Sequence, residues 1–283
     1  MANVSLSAPA PLDAQALRRV LTGPGRTWTQ VVVVEQTGST NADLLDAARR
    51  GGPLGRPGTV LAAEDQTAGR GRADRVWVSP PRSGIAVSVL LEPTPVPGPR
   101  WGWLPLLVGL ATAEAIEGTT GVATSLKWPN DLLVDGRKLG GILAQRVELT
   151  GSQTPGVVVG LGLNVDLPAP ALPTPQATSL LVAGAAHRDR TRLLGDILVR
   201  LESWYEAWVT SAGDATGAGL ADAYRQRCAT IGSPVAVTLP NGRMDGQATG
   251  VDDDGALLVR AGDGSVRTVT AGDVVHVRAG GAG

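Results

Sequence analysis

The sequence predicts an α+β chain that ends in a small all-β unit. Up to about residue 230, β-branched runs alternate with stretches whose apolar residues recur at helical spacing. From Gly232 onward the pattern changes to five short strands, separated by Asn241-Gly242, Asp254-Gly255 and Asp263-Gly264, which is the composition of a small barrel. A length of 283 residues with 43% hydrophobic content suits one large domain plus a small one. The expected division is a tail over 1–26, a large domain over 27–230 and a barrel over 231–280.

The elements follow in order. The Ala/Pro-rich first 26 residues hold one weak helical stretch, Asp13 to Leu21. Val31 to Glu35 is a buried strand. In Gly38-Ser39-Thr40-Asn41-Ala42-Asp43, Thr40 with Asp43 approximates a capping box, and the helix that follows should end at Gly51-Gly52. Thr59 to Glu64 and Gly84 to Leu91 are strands, and Trp101 to Glu117 has the length and period of a helix on a sheet. Leu126 to Trp128 and Leu132 to Val134 are short strands. Asp135-Gly136 signals a two-residue hairpin turn, so Leu139 to Val147 should pair back. Gly156 to Val165 is a further strand. Leu193, Leu194, Ile197, Leu198, Leu201, Trp204, Tyr205 and Trp208 share one face of a helix, and a second helix covers Leu220 to Ala229.

Composition excludes several classes. The net charge of −1 lacks the basic footprint of a duplex-DNA binder. The single cysteine, Cys228, rules out an internal disulfide framework, and His187 and His276 stand in unrelated contexts, so no zinc site is expected. The N-terminus lacks the charged and apolar regions of a signal peptide, and no apolar run reaches the roughly 20 residues of a membrane span. A soluble cytoplasmic protein is expected, with neither nucleic acid nor membrane as partner.

Three segments carry chemistry. The densest is Gln66-Thr67-Ala68-Gly69-Arg70-Gly71-Arg72-Ala73-Asp74-Arg75-Val76-Trp77. Its glycines let the backbone turn and approach a ligand. Arg70, Arg72 and Arg75 offer planar donor forks for phosphate or carboxylate, and Trp77 offers a face for stacking. A solvated turn and an RNA-binding segment have the same composition. Nothing apolar anchors the middle of the loop, so mobility in the free state is expected. The second segment is Lys127-Trp128-Pro129-Asn130-Asp131, followed across the hairpin by Lys138-Leu139-Gly140-Gly141-Ile142-Leu143. Pairing of the strands brings Asp131 and Lys138 near one site, and Gly140-Gly141 leaves room for a ligand. A surface Asp–Lys pair beside a hairpin explains the same residues. The third is Gly160-Leu161-Gly162-Leu163-Asn164-Val165, a packed glycine strand by default, with Asn164 as a polar ligand contact the other reading.

Together these segments, with Gly38-Ser39-Thr40-Asn41, resemble the biotin protein ligase family from about residue 30 to 280. The joint presence of KWPND and KLGGIL is its most specific mark. The resemblance implies a class II aminoacyl-tRNA-synthetase-like catalytic domain, a mixed sheet with flanking helices, followed by an SH3-like barrel. It also implies two steps. Biotin and ATP give biotinyl-5′-AMP and pyrophosphate, with Mg²⁺ on the phosphate oxygens. A lysine of a biotin carboxyl carrier domain, from an acyl-CoA or pyruvate carboxylase, then takes the biotinyl group and releases AMP.

Carried onto this chain, the resemblance puts Ser39, Thr40, Asn41, Gln66 and Gly140 at biotin. Arg70, Gly71 and Arg72 form a loop closing over biotin and the adenylate, with Arg75 toward the nucleotide and Trp77 near adenine. Lys138 lies between the biotin carboxylate and the α-phosphate. Asp131 serves the incoming amine or orientation, Asn130 and Lys127 the phosphates or Mg²⁺, and Asn164 the adenine side. Ala73-Asp74 departs from the basic and small residues often seen after the second arginine, which bears on loop dynamics rather than on chemistry. A lipoate-type ligase would share the fold, but the arginine loop with KWPND favours biotin. A repressor with an N-terminal winged helix is not expected, because about 30 residues precede the first strand where such a domain takes roughly 60. Monomer and weak homodimer both stay open.

Overall fold

A computed structural model describes residues 9–73, 75–239, 242–270 and 273–276. Asp74, Asn241 of the expected turn, and the end of the expected barrel beyond residue 276 lie outside them. The segment expected as a tail is instead part of the core where it is described. Asp13 caps α1 (Ala14–Leu21) by accepting the Ala16 N–H at 2.9 Å, and Leu12, Leu17 and Leu21 are buried. Trp28 follows, fully buried, with its indole N–H on the Leu198 carbonyl at 3.0 Å.

The β-branched run Val31 to Val34 lies in β1 (Gln30–Thr37), which pairs in parallel with β2 (Thr59–Gln66). The parallel pair needs a crossover, and α2 (Thr40–Arg50) supplies it. The N-cap of α2 is Ser39, whose hydroxyl accepts the Ala42 N–H at 3.5 Å, so the expected Thr40–Asp43 box does not form. Both residues types cap well; Thr40 loses the position because its hydroxyl is engaged by Gln66 and Ser88. The helix ends at Gly51 and Gly52, which take φ of 76° and 101°.

The remaining strands of the large sheet are β3 (Gly84–Leu91), β4 (Ser125–Lys127), β5 (Asp131–Val134), β6 (Arg137–Val147) and β7 (Gly156–Asn164). Their order is β1-β2-β3-β7-β6-β5-β4, antiparallel beyond the first pair, so the sheet is mixed. On one face, Leu44, Leu45 and Ala48 of α2 pack on Leu61, Leu90, Val147 and Val158. The other face is covered by α1, α3 (Trp103–Thr120) and α4 (Arg190–Thr210). Seven of the eight residues expected on the apolar face of α4 are buried. Trp204 is half-buried and gives its indole N–H to Glu114 at 3.0 Å. Trp101 precedes α3 in a 3₁₀ turn rather than lying in the helix.

After α5 (Leu220–Arg227), the strands β8 (Pro234–Leu239), β9 (Gly242–Val251), β10 (Leu257–Ala261), β11 (Val266–Val269) and β12 (Asp273–His276) form an antiparallel sheet in the order β11-β10-β9-β8-β12. It is not a loose appendage. The Trp103 indole donates to the Asp253 carbonyl and the Trp128 indole to the Gly255 carbonyl, each at 3.0 Å. A side chain at Gly255 would start 2.6 Å from the Gly102 backbone, and Gly255 has φ of 82°. Val235, Leu257 and Val259 join the same apolar core as α3 and α4.

One polar link crosses that core. Glu64 on β2 receives the Arg190 guanidinium at 2.8 Å and the Leu12 N–H, while Arg190 also donates to the carbonyls of Gly84 (3.1 Å) and Ala10 (2.6 Å). Both side chains are at most 3% exposed. Removing one partner would leave an uncompensated buried charge. Arg190→Ala should therefore lower unfolding free energy by about 3–5 kcal/mol in urea titration, and a loss below about 1 kcal/mol would show that the link does not hold the N-terminal segment.

Candidate functional site

The site lies on the α2 face of the large sheet, where the N-terminus of α2 meets β6 and β7. Side chains fill this face elsewhere, but at Gly141, Gly160 and Gly162 there are none, and a cavity of about 240 Å³ results. Each glycine admits a different neighbour. A Cβ at Gly160 would stand 2.1 Å from Asn41 Oδ1, one at Gly162 2.5 Å from the Trp77 ring, and one at Gly141 3.3 Å from Lys138 Nζ. Gly140, expected at the ligand, faces the core instead, where a Cβ would meet Leu163 and Leu132. Gly141 takes its place, because alternation along a strand sends neighbours to opposite faces.

Lys138 reaches the cavity through an irregularity. The turn at Asp135-Gly136 has φ of 50° and 71°, the pair of positive values a type I′ hairpin requires. Next to it Leu132 faces Gly140 while Leu133 faces Lys138, so β6 carries one extra residue, Leu139. This bulge breaks the alternation and turns Lys138 onto the same face as Gly141. Nζ then lies 2.5 Å from Asp131 Oδ1, with the lysine side chain 37% and the carboxylate 19% exposed. The Lys138 backbone is held as well: its N–H donates to the Gln176 carbonyl at 2.7 Å, and its carbonyl accepts the Thr178 N–H at 2.8 Å.

The glycine–arginine loop folds back on itself. Arg70 and Val76 form a β-bridge, the Gly71 N–H donates to the Arg75 carbonyl at 2.6 Å, and the Trp77 N–H to the Gly69 carbonyl at 2.9 Å. The backbone turns at Ala73, with φ of 50°. Arg72 reaches across to Asn130 Oδ1 at 3.2 Å, and Asn130 in turn holds β6 through its Nδ2 on the Ile142 carbonyl at 3.0 Å. Trp77 thus covers Gly162 while Arg70, Gly71, Arg72 and Arg75 roof the cavity.

The wall opposite is neutral and polar. Gln66 Oε1 accepts the Thr40 N–H at 2.9 Å and faces its hydroxyl at 3.1 Å. Asn41 Nδ2 donates to the Leu143 carbonyl at 3.1 Å and to Gln145 Oε1 at 3.0 Å. Ser39, Thr40, Asn41, Gln66, Asn130, Lys138 and Asn164 all line the cavity. Asn164 is buried, and its Nδ2 donates to the Thr178 carbonyl at 2.9 Å.

Lys127 is not among the lining residues. It lies near His276 of β12, whose imidazole is pushed below its ordinary value by burial first and by the Lys127 charge second. Asp131 is not among the lining residues either, and it touches one of them, Lys138. Among the described residues no three His, Cys, Asp or Glu side chains gather as a metal cage. Lining residues that the sequence does not single out include Val87 on β3 and Pro173, Thr174 and Ala177 in the segment after β7, and Gly160 and Gly162, read as strand packing, line the cavity as well. Among the described residues no helix is long and apolar enough to cross a membrane.

Both units of the chain match known proteins. Residues 19–164 match the model of the biotin/lipoate A/B protein ligase family, and residues 230–277 that of the biotin protein ligase C-terminal domain. A biotin–[acetyl-CoA-carboxylase] ligase of Mycobacterium tuberculosis is 45% identical, over 95% of this chain and 97% of its own. One of Paracoccus denitrificans is 32% identical over 81% of this chain and 93% of its own. The structure of a biotin protein ligase from Aquifex aeolicus in complex with biotin and ATP, 25% identical, covers 89% of this chain and all of its own with a TM-score of 0.69. With a lysine–aspartate pair, an arginine loop and a glycine-lined cavity on one sheet face, and with these matches over both units, the chain belongs to the biotin/lipoate A/B protein ligase family, among its biotin protein ligases.

Proposed function

We propose that the chain attaches biotin, through biotinyl-5′-AMP, to a lysine of a biotin carboxyl carrier domain. One observation carries this reading: a single cavity joins a neutral polar wall (Thr40, Asn41, Gln66) to a cationic end (Lys138, Arg70, Arg72, Arg75). Such a cavity fits a polar, uncharged ring with a carboxylate tail, and beside it a nucleotide.

In the first step a biotin carboxylate oxygen forms a bond to the α-phosphorus of ATP, and the bond to pyrophosphate breaks. Two anions must meet, and Lys138 lowers their repulsion. Its ammonium has three donors, of which Asp131 takes one, leaving two for the carboxylate and the α-phosphate oxygens. ATP brings Mg²⁺ on its phosphates. Arg70, Gly71 and Arg72 close over the mixed anhydride and keep water from it, while Trp77, braced on Gly162, offers its face to the adenine. In the second step the amine of the carrier lysine bonds to the biotinyl carbonyl carbon and AMP leaves; Asp131 orients that amine, a reading its contact with Lys138 supports. Lys127 supports this end from behind, through the junction with β12, and Asn130 ties Arg72 to it.

The acceptor is a biotin carboxyl carrier domain of acetyl-CoA carboxylase, a partner carried over from the similar ligases. Pyruvate carboxylase offers the same carrier chemistry.

Three outcomes are expected. Lys138→Ala should lower biotin-dependent ATP–pyrophosphate exchange on the order of 10²–10³-fold with an unchanged melting temperature, and near-normal exchange would sink the role given to this lysine. Arg70→Gly should release the adenylate early, seen as biotin on lysines of an added bystander protein; no rise in such labelling would argue against a covering loop. Gly162→Ala pushes Trp77 off the strand, so the KM for ATP should rise on the order of tenfold while biotin affinity changes little. An equal loss for both substrates would refute the stacking role.

A further inference from the structure

Ser88 lies on β3, fully buried, outside the cavity lining, and no step above uses it. A hydroxyl in the middle of the run Gly84 to Leu91 is costly to bury unless its hydrogen bonds are made. They are made, and only to residues of the cavity wall. The Ser88 hydroxyl donates to Asn41 Oδ1 at 2.5 Å and lies 2.7 Å from the Thr40 hydroxyl.

The polarity of this chain is set from both ends by the backbone. At one end the Leu143 carbonyl can only accept, so the Asn41 amide must present Nδ2 to it and Oδ1 to Ser88. Asn41 Oδ1 can only accept, so the Ser88 proton points at Asn41 and its oxygen is left as an acceptor toward Thr40. At the other end the Thr40 N–H can only donate, so Gln66 must present Oε1 to it and keep Nε2 as the donor. The Thr40 hydroxyl therefore stands between two acceptors, Ser88 Oγ and Gln66 Oε1. Its proton is committed to the protein, and toward the cavity it has lone pairs only.

We infer that Ser88 is a specificity-determining positioning residue: with its own proton held by Asn41, it fixes Thr40 Oγ1 as an acceptor toward the cavity, beside the Gln66 Nε2 donor that the Thr40 backbone N–H sets, and the two together complement an adjacent N–H and C=O on a cyclic urea. This rests on biotin being the ligand. It also separates biotin from a purely apolar or dithiolane acyl chain, which would leave both polar groups unpaired in a buried place. Gly160 belongs to the same device, since any side chain there would displace Asn41 Oδ1.

The test uses ATP–pyrophosphate exchange by the full chain with two probes: biotin, and cyclic carbamate analogues in which either ureido N–H is replaced by oxygen. The wild type should discriminate strongly against the carbamate that sets an oxygen lone pair against Thr40 Oγ1. In Ser88→Ala the Thr40 hydroxyl loses its nearer acceptor, at 2.7 Å, and keeps only the longer contact to Gln66 Oε1 at 3.1 Å, so it can turn and donate into the cavity. The KM for biotin should rise on the order of tenfold with kcat within about twofold, and the biotin-to-carbamate ratio of KM values should narrow by a similar factor. A merely structural role would raise both KM values together and leave that ratio in place, which would overturn the inference. In a Thr40→Val background the substitution should add little to the KM, and a full additional tenfold would overturn it as well. If Ser88→Ala does not fold, Ser88→Cys, a weaker donor and acceptor, carries the same comparison. A wild-type enzyme that exchanges with neither biotin nor carbamate would instead overturn the proposed ligase reaction. Exchange with biotin but an unmoved ratio in the variant would overturn only the role of Ser88.

Discussion

Gly141, Gly160 and Gly162 leave a hollow in a sheet face that is otherwise closed by valines and leucines under α2. A native interior packs to the density of a crystal, so a gap of this size survives only where neighbours are kept from collapsing into it. Here the neighbours are polar and mutually satisfied. Asn41 spends its amide on Leu143, Gln145 and Ser88, Trp77 stands over Gly162, and Lys138 is held off by Asp131. The same three absences of a side chain thus make the cavity and place each group around it.

Much of this organisation can be read from local chemistry. Asp135-Gly136 signals a hairpin because few residue pairs adopt two successive positive φ values, and the pairing of β5 with β6 follows from it. The apolar face of α4 is legible because its period spans several turns. What stayed hidden depends on partners far away in sequence. The extra residue Leu139 in β6 exists only relative to β5, so the sequence offers Gly140-Gly141 as a pair and does not show which of the two faces the cavity. The segment before residue 26 reads as a tail because its helix is short, but Leu12, Leu17 and Leu21 are buried, and Arg190 of α4 holds the Ala10 carbonyl. Ser39 and Thr40 are both good caps, and the choice between them is made by Gln66 and Ser88, 26 and 48 positions away.

The small C-terminal sheet has a physical part in the site. Two buried indole N–H groups, on Trp103 and Trp128, need acceptors and find them in its Asp252–Gly255 turn. The Trp128 backbone N–H is taken by the Thr230 hydroxyl, which in turn contacts His276 Nε2, each at 3.0 Å. The segment that carries Asn130 and Asp131 is therefore braced from behind by groups of the other unit, and the placement of the Lys127 end depends on both.

The backbone clamp on Lys138 has a consequence for how the charge is used. Main-chain bonds to residues 176 and 178 fix where the side chain starts, and Asp131 fixes where it ends. The conformational freedom of a long lysine is thus surrendered when the chain folds, not when substrates arrive. A substrate carboxylate meets an ammonium already aimed, and only has to share it with Asp131. Binding then spends little on ordering the enzyme, and more of its free energy remains for drawing two anions together.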